Sequence, residues 1–156
     1  MSGAKTGLDG ALDPGVGEGG MLAGEVDPPL GGRVYTEQLS LEVRTDVNME
    51  GGFRWLTVGP PSQPDLQIIL LEPRGGPMLD DAAARQIRAL LEKGILGAGV
   101  FETDDCRATY DELRQRGVEF VAPPAERFYG IEAIFKDGVG NWFSLTERSK
   151  ESSASR

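Results

Sequence analysis

The stretch Tyr129–Arg148, Tyr-Gly-Ile-Glu-Ala-Ile-Phe-Lys-Asp-Gly-Val-Gly-Asn-Trp-Phe-Ser-Leu-Thr-Glu-Arg, decides how this chain folds. Ile131 to Lys136 is rich in strand formers, and Trp142 to Thr146 resumes an extended pattern. Between them, Asp137-Gly138-Val139-Gly140-Asn141 supplies residues that tolerate positive φ, so the two runs read as a hairpin. Side chains alternate across a strand. Phe143 and Leu145 therefore take one face, and Trp142, Ser144 and Thr146 the other. The first face is apolar enough for a core, while the second sets an indole beside two hydroxyls and reads as a pocket wall.

Outward from the hairpin, Val118 to Val121 reads as a strand stopped by Pro123-Pro124. Before it, Asp104 to Arg116 predicts a helix with Cys106, Tyr110 and Leu113 inward and Gly117 as its stop. Gly97 to Thr103 is a further strand. Asp80 to Lys93 predicts a linker helix, with Asp80 at its start, Ala83, Ile87, Leu90 and Leu91 on the apolar face, and Gly94 beyond its end. Pro73 to Pro77 is a linker. Leu66 to Leu71 and Phe53 to Val58 are strands, and Leu41, Val43 and Thr45 alternate with charged residues as a third. Their short connections imply an antiparallel meander.

The N-terminal third is thinner in signal. Val34 to Leu39 carries the better helix formers, Asp27-Pro28-Pro29 resembles a helix start, and Met21 to Asp27 fits a short edge strand. Residues 1–20 are Gly-rich with few large apolar groups and are expected to form a flexible tail, with a polar tail at 149–156. Gly15-x-Gly17-x-x-Gly20 matches a dinucleotide fingerprint, but no strand precedes it and prolines follow, so a chance match is the better reading. The expected order is an approximate duplication of a βαβββ unit: module one at 21–73, the linker helix at 80–93 and module two at 97–148. That is an α+β fold whose paired modules form a half-open barrel around a cavity, with the first strand and helix degenerate.

Composition narrows the function. The chain has 156 residues, enough for one ordinary domain, and a formal net charge of −9. That charge disfavours nucleic acid, whose affinity rests on Lys and Arg contacts to phosphates, and is compatible with steering a cationic small molecule. No apolar run is long enough to span a bilayer and no leader pattern is visible, so a cytoplasmic protein without membrane contact is expected. Cys106 is the single cysteine and histidine is absent. No intrachain disulfide, Ser-His-Asp or Cys-His arrangement can form, and the commonest zinc ligands are missing.

Phe101-Glu102-Thr103-Asp104-Asp105, Arg116-Gly117-Val118-Glu119-Phe120, Tyr129-Gly130-Ile131 and Asp137-x-x-Gly140-Asn141 together resemble the vicinal oxygen chelate superfamily. This group includes glyoxalase I, the extradiol dioxygenases and the bleomycin-resistance proteins. The chain looks most like actinobacterial glyoxalase-like proteins, which also carry Tyr35-Thr36-Glu37-Gln38-Leu39 and Arg54-Trp55-Leu56-Thr57-Val58 in the first half. The resemblance runs from Tyr35 to Arg148. It implies four inward strand positions that hold a divalent ion in metal-using members. By spacing these fall at Gly20, Ile69, Ala98 and Ser144, whose side chains cannot make such a site.

The leading expectation is therefore a metal-independent protein of the bleomycin-resistance type, without cofactor, sequestering a cationic or aromatic small molecule. Alternation places Trp55, Thr57, Gln67, Ile69, Glu132, Trp142, Ser144 and Thr146 on the cavity wall. The tryptophans offer stacking and cation–π surface, and Glu132 can pair with a ligand amine. Two alternatives stand beside it. One is a metal-dependent glyoxalase-type or dioxygenase-like enzyme, or one using Glu72, Glu102 or Glu132 as general base. The other is a degenerate paralogue acting through dimerisation. A homodimer is implied by the resemblance.

Overall fold

The computed structural model describes residues 20–22, 33–76 and 79–149. The expected tail before Gly20, the Asp27-Pro28-Pro29 helix start and residues 150–156 lie outside these. The first strand is β1, Gly20–Leu22, and the first helix is one wide turn, Val34–Gln38. That turn is closed by the Leu39 amide donating to the Val34 carbonyl at 2.9 Å. Then come β2 (Glu42–Asn48), β3 (Arg54–Gly59) and β4 (Ile68–Leu71), and a linker helix, α1 (Asp81–Glu92). The second unit is β5 (Leu96–Glu102), α2 (Cys106–Gln115), β6 (Glu119–Arg127), β7 (Gly130–Lys136) and β8 (Asn141–Arg148).

Both units build the same four-stranded sheet. The strand order is β1-β4-β3-β2 in the first and β5-β8-β7-β6 in the second. In each, the first strand pairs parallel with the last and the remaining pairs are antiparallel. A parallel pair needs a crossover, which α2 supplies in the second unit. The duplicated α+β architecture expected from the sequence is present, with β1 and the first helix reduced to three and five residues.

Local chemistry accounts for the helices. Asp80 accepts the Ala83 amide at 2.7 Å and Asp105 the Ala108 amide at 2.9 Å, each an N-cap worth about 1 kcal/mol. Both helices stop where Gly94 (φ 64°) and Gly117 (φ 90°) turn left-handed. Their buried faces differ in detail from the expected ones. In α1, Ala84 and Leu91 are buried and Leu90 is 37% exposed, because the packed stripe is narrow. In α2, Thr109 joins Cys106 and Leu113 inside, while Tyr110 is half-buried with its ring 4.5 Å from that of Phe120.

Two strand expectations are corrected. β6 does not stop before Pro123-Pro124 but runs through them to Arg127. It is an edge strand bonded only to β7, with register shifts between Phe120 and Ala122 and between Ala122 and Ala125. A proline without an N–H is tolerated on an edge that asks for none. Val43 is 52% exposed rather than inward. β2 is also an edge, and its register shifts between Val43 and Thr45, which breaks the alternation.

One core joins the units. Tyr35, Leu39, Leu56, Val58 and Leu70 of the first pack with Phe101, Leu113, Phe135, Phe143 and Leu145 of the second. Each such side chain contributes about 1.5–3 kcal/mol on full burial. Polar contacts fasten the same seam. Arg116 donates to the Gln38 carbonyl at 3.3 Å and to Ser40 Oγ at 2.6 Å. Among the described residues no helix is long and apolar enough to cross a membrane.

Candidate functional site

Because Ala133, Phe135, Phe143 and Leu145 turn into the core, the alternate residues of β7 and β8 face the opposite side of the second sheet. Strand register arranges them in rows. Glu102, Thr146 and Glu132 form one row, Val100, Ser144 and Ile134 the next, and Gly97, Trp142 and Lys136 the third. Over this face lies an open cleft of about 650 Å³, within the range of small-molecule sites. Its lining comes from the second unit, with Tyr129 and Arg148 at one end and Trp142 at the other.

The Trp142 end is apolar and held in place. The indole lies against the bare backbone of Gly97, where a Cβ would come within 2.6 Å of the ring. Its Nε1 donates to the Ile95 carbonyl at 3.2 Å. The ring is a fixed platform with one face left to the cleft.

The other end is polar. Ser144 Oγ donates to Glu132 Oε1 at 2.7 Å and lies 2.8 Å from Thr146 Oγ1. Arg127 Nε donates to Glu132 Oε2 at 3.3 Å, and the Tyr129 hydroxyl adds a further hydrogen bond. Partial burial alone would raise the Glu132 carboxyl. The hydrogen bonds from Ser144, Tyr129 and Arg127 outweigh it and hold the group below its ordinary value. Tyr129 is pushed up, by desolvation first and then by its bond to that carboxylate. At the rim Arg148 pairs with Glu102.

Of the expected wall residues, Glu132, Trp142, Ser144 and Thr146 meet in this cleft. Trp55, Thr57, Gln67 and Ile69 sit on the first sheet and do not line it. There Thr57 Oγ1 donates to Gln67 Oε1 at 2.9 Å, Ile69 lies across from Thr57, and the Trp55 ring is 6.3 Å from that of Phe53. Among the described residues, the second sheet carries a cleft of its own, which these first-sheet residues do not line. Glu72 lies away from it, in a small hollow on the first sheet.

Alternation also missed Tyr129, Val100, Gly97 and Arg148. Arg148 continues the 142, 144, 146 series and was readable. Val100 was not. A bulge between Gly97 and Gly99 leaves Ala98 packed against the core and sets Val100, not Ala98, across from Ser144. In the first sheet the equivalent partners are Gly20 and Ile69. Glycine, isoleucine, alanine, valine and a lone serine hydroxyl do not fit the donor set of a divalent ion. Among the described residues no group of three or more His, Cys, Asp or Glu is placed to hold one.

YurT, an uncharacterised protein of Bacillus subtilis (strain 168), is 32% identical over 114 residues, spanning 73% of this chain and 85% of that one. The crystal structure of UcmS2 is 40% identical with a TM-score of 0.73, over 85% of this chain and 98% of that one. TnmS3, an antibiotic binding protein from Streptomyces sp. CB03234, is 22% identical with a TM-score of 0.60, over 88% of this chain and 100% of that one. At that identity it bears on the fold alone. A sequence profile matches residues 33–145, and its match runs through both copies of the duplicated sheet: the chain belongs to the Glyoxalase/Bleomycin resistance protein/Dioxygenase superfamily.

Proposed function

We propose that this chain is a metal-independent, cofactor-free binding protein of the cytoplasm that sequesters an aromatic or cationic small molecule. The observation that carries this reading is the immobilised Trp142 indole and the Glu132 carboxylate at opposite ends of one open cleft. A flat ring has a platform to stack on, and an amine or hydroxyl has an acid to bond. Support comes from TnmS3, an antibiotic binding protein that shares the fold.

The reading includes a homodimer. Among the described residues the cleft is walled by the second unit, while the first sheet presents Trp55 and the half-exposed Val47, with Met49 and Phe53 on the turn beside it. A second copy laying that face over the cleft would bury both apolar surfaces and add Trp55, Gln67 and Ile69 to the wall, with the fully buried Thr57 bracing Gln67 behind them.

A thermal-shift screen tests the proposal. Cationic glycopeptides and aromatic amines are expected to raise the melting temperature, and manganese or nickel to leave it unchanged. A shift of several degrees with metal alone would instead favour metal-dependent chemistry. Neither shift, together with co-purification of a homologous chain, would favour a role through dimerisation.

A further inference from the structure

In the cleft the hydroxyl protons can be counted. Ser144 Oγ donates to Glu132 Oε1 at 2.7 Å and sits 2.8 Å from Thr146 Oγ1. A serine hydroxyl carries one proton, and this one is committed to the carboxylate. The proton between the two hydroxyls must therefore be that of Thr146, donated to Ser144 Oγ. The chain runs one way, from Thr146 through Ser144 to Glu132.

The donors beside this carboxylate and on the indole are committed too. Tyr129 bonds the same carboxylate and Trp142 Nε1 donates to Ile95, while Arg148, paired with Glu102, keeps its further N–H groups at the rim. Between the indole and that rim the wall offers lone pairs, on Thr146 Oγ1 and on the Glu132 oxygens. Ser144 and Thr146 are 5% and 6% exposed, so a ligand that reaches them displaces their water. An acceptor held against an acceptor, with water gone, leaves both unpaired.

We propose, resting on the small-molecule reading above, that this wall selects its ligand by hydrogen-bond polarity. It takes flat ring compounds that present O–H or N–H donors and turns away matched compounds that offer acceptors alone. The lowered Glu132 carboxyl agrees, since an ionised acid accepts and never donates. The ring lies on Trp142, the donor meets Thr146 or Glu132, and Ser144 orients the wall without touching the ligand's proton.

The test uses the full chain and matched pairs of small arenes, naphthol against its methyl ether and indole against N-methylindole, with affinities from titration calorimetry. The donor-bearing member of each pair is expected to bind about tenfold tighter. That gap should close in Thr146→Val and in Glu132→Gln, whereas Trp142→Ala should weaken both members alike. Equal affinity within each pair, with both weakened by Trp142→Ala, would overturn the polarity rule and leave the cleft reading standing. Tighter binding of the ethers would overturn it as well. No binding of any compound would overturn both. The wild-type comparison decides by itself if a variant fails to fold.

Discussion

The hydroxyl of Tyr35 donates a 2.6 Å hydrogen bond to Oδ2 of Asp137 across 102 residues of sequence, and both side chains are fully buried. Asp137 also gathers its own loop, taking the Val139 and Asn141 amides on Oδ1 at 2.9 and 3.0 Å and Asn141 Nδ2 on Oδ2 at 2.7 Å. One carboxylate thus shapes the turn before β8 and ties the first unit to the second. The strand that carries Trp142, Ser144 and Thr146 starts from that knot.

Tyr35→Phe keeps the ring, which meets Phe143 edge-on at 6.4 Å, and removes one donor from a buried acid. The expected loss is about 1–3 kcal/mol of stability, seen as a lower urea midpoint with an unchanged slope. An unchanged midpoint would mean that the seam is held by apolar packing alone.

Alkaline pH should loosen the core in two stages. Burial first, and then the Glu147 charge, push the Cys106 thiol from 9.0 to about 11. Burial first, and then Asp137, hold the Tyr35 phenol well above its ordinary 10.0. A raised folded value contributes stability that is complete below the unfolded value and is lost as pH climbs toward the folded one. The melting temperature should therefore be level up to pH 9 and fall from pH 9 to 11, more steeply once unfolded phenols ionise. Cys106→Ala should flatten the first part. In the native wild type at pH 8, a chromogenic thiol reagent should react at the rate of unfolding rather than of an open thiol.

Gly97→Ala addresses the platform. The added methyl would fall 2.6 Å from the Trp142 ring, so the indole must tilt away from the β5 backbone. Because the site is open to the cleft, stability should fall by less than about 1 kcal/mol while affinity for an aromatic ligand drops severalfold. Trp142 emission in a Trp55→Phe background reports the tilt. Unchanged emission and affinity would remove Gly97 from the account.

Glu132 predicts the acid limb. A lowered carboxyl contributes stability that is present above its ordinary 4.5 and lost as pH falls through its folded value. Affinity for a cationic ligand should be level above pH 4.5 and decline below it, with the decline absent in Glu132→Gln. Titrations over that range check both arms, and a midpoint near neutral pH would rule Glu132 out as the titrating acid.

Much of this was legible in local sequence. Asp80, Gly94 and Gly117 bound their helices through contacts within a few residues, the second helix is capped by Asp105 rather than started at Asp104, and the two faces of β8 follow from strict alternation. Pro123-Pro124 misled because proline bars a strand from the middle of a sheet and not from its edge, and position in the sheet is not a local property. Val43 misled for the same reason.

What the chain determined by itself is which side chains share a face: Trp142 with Ser144 and Thr146, Phe143 with Leu145. Alternation of consecutive residues is enforced by the backbone wherever a strand forms. Which faces meet was decided by tertiary structure. The bulge at Ala98 that brings Val100 opposite Ser144, the reach of Tyr35 to Asp137 and the one-way chain from Thr146 to Glu132 each join segments whose register is set by the packing of the whole core.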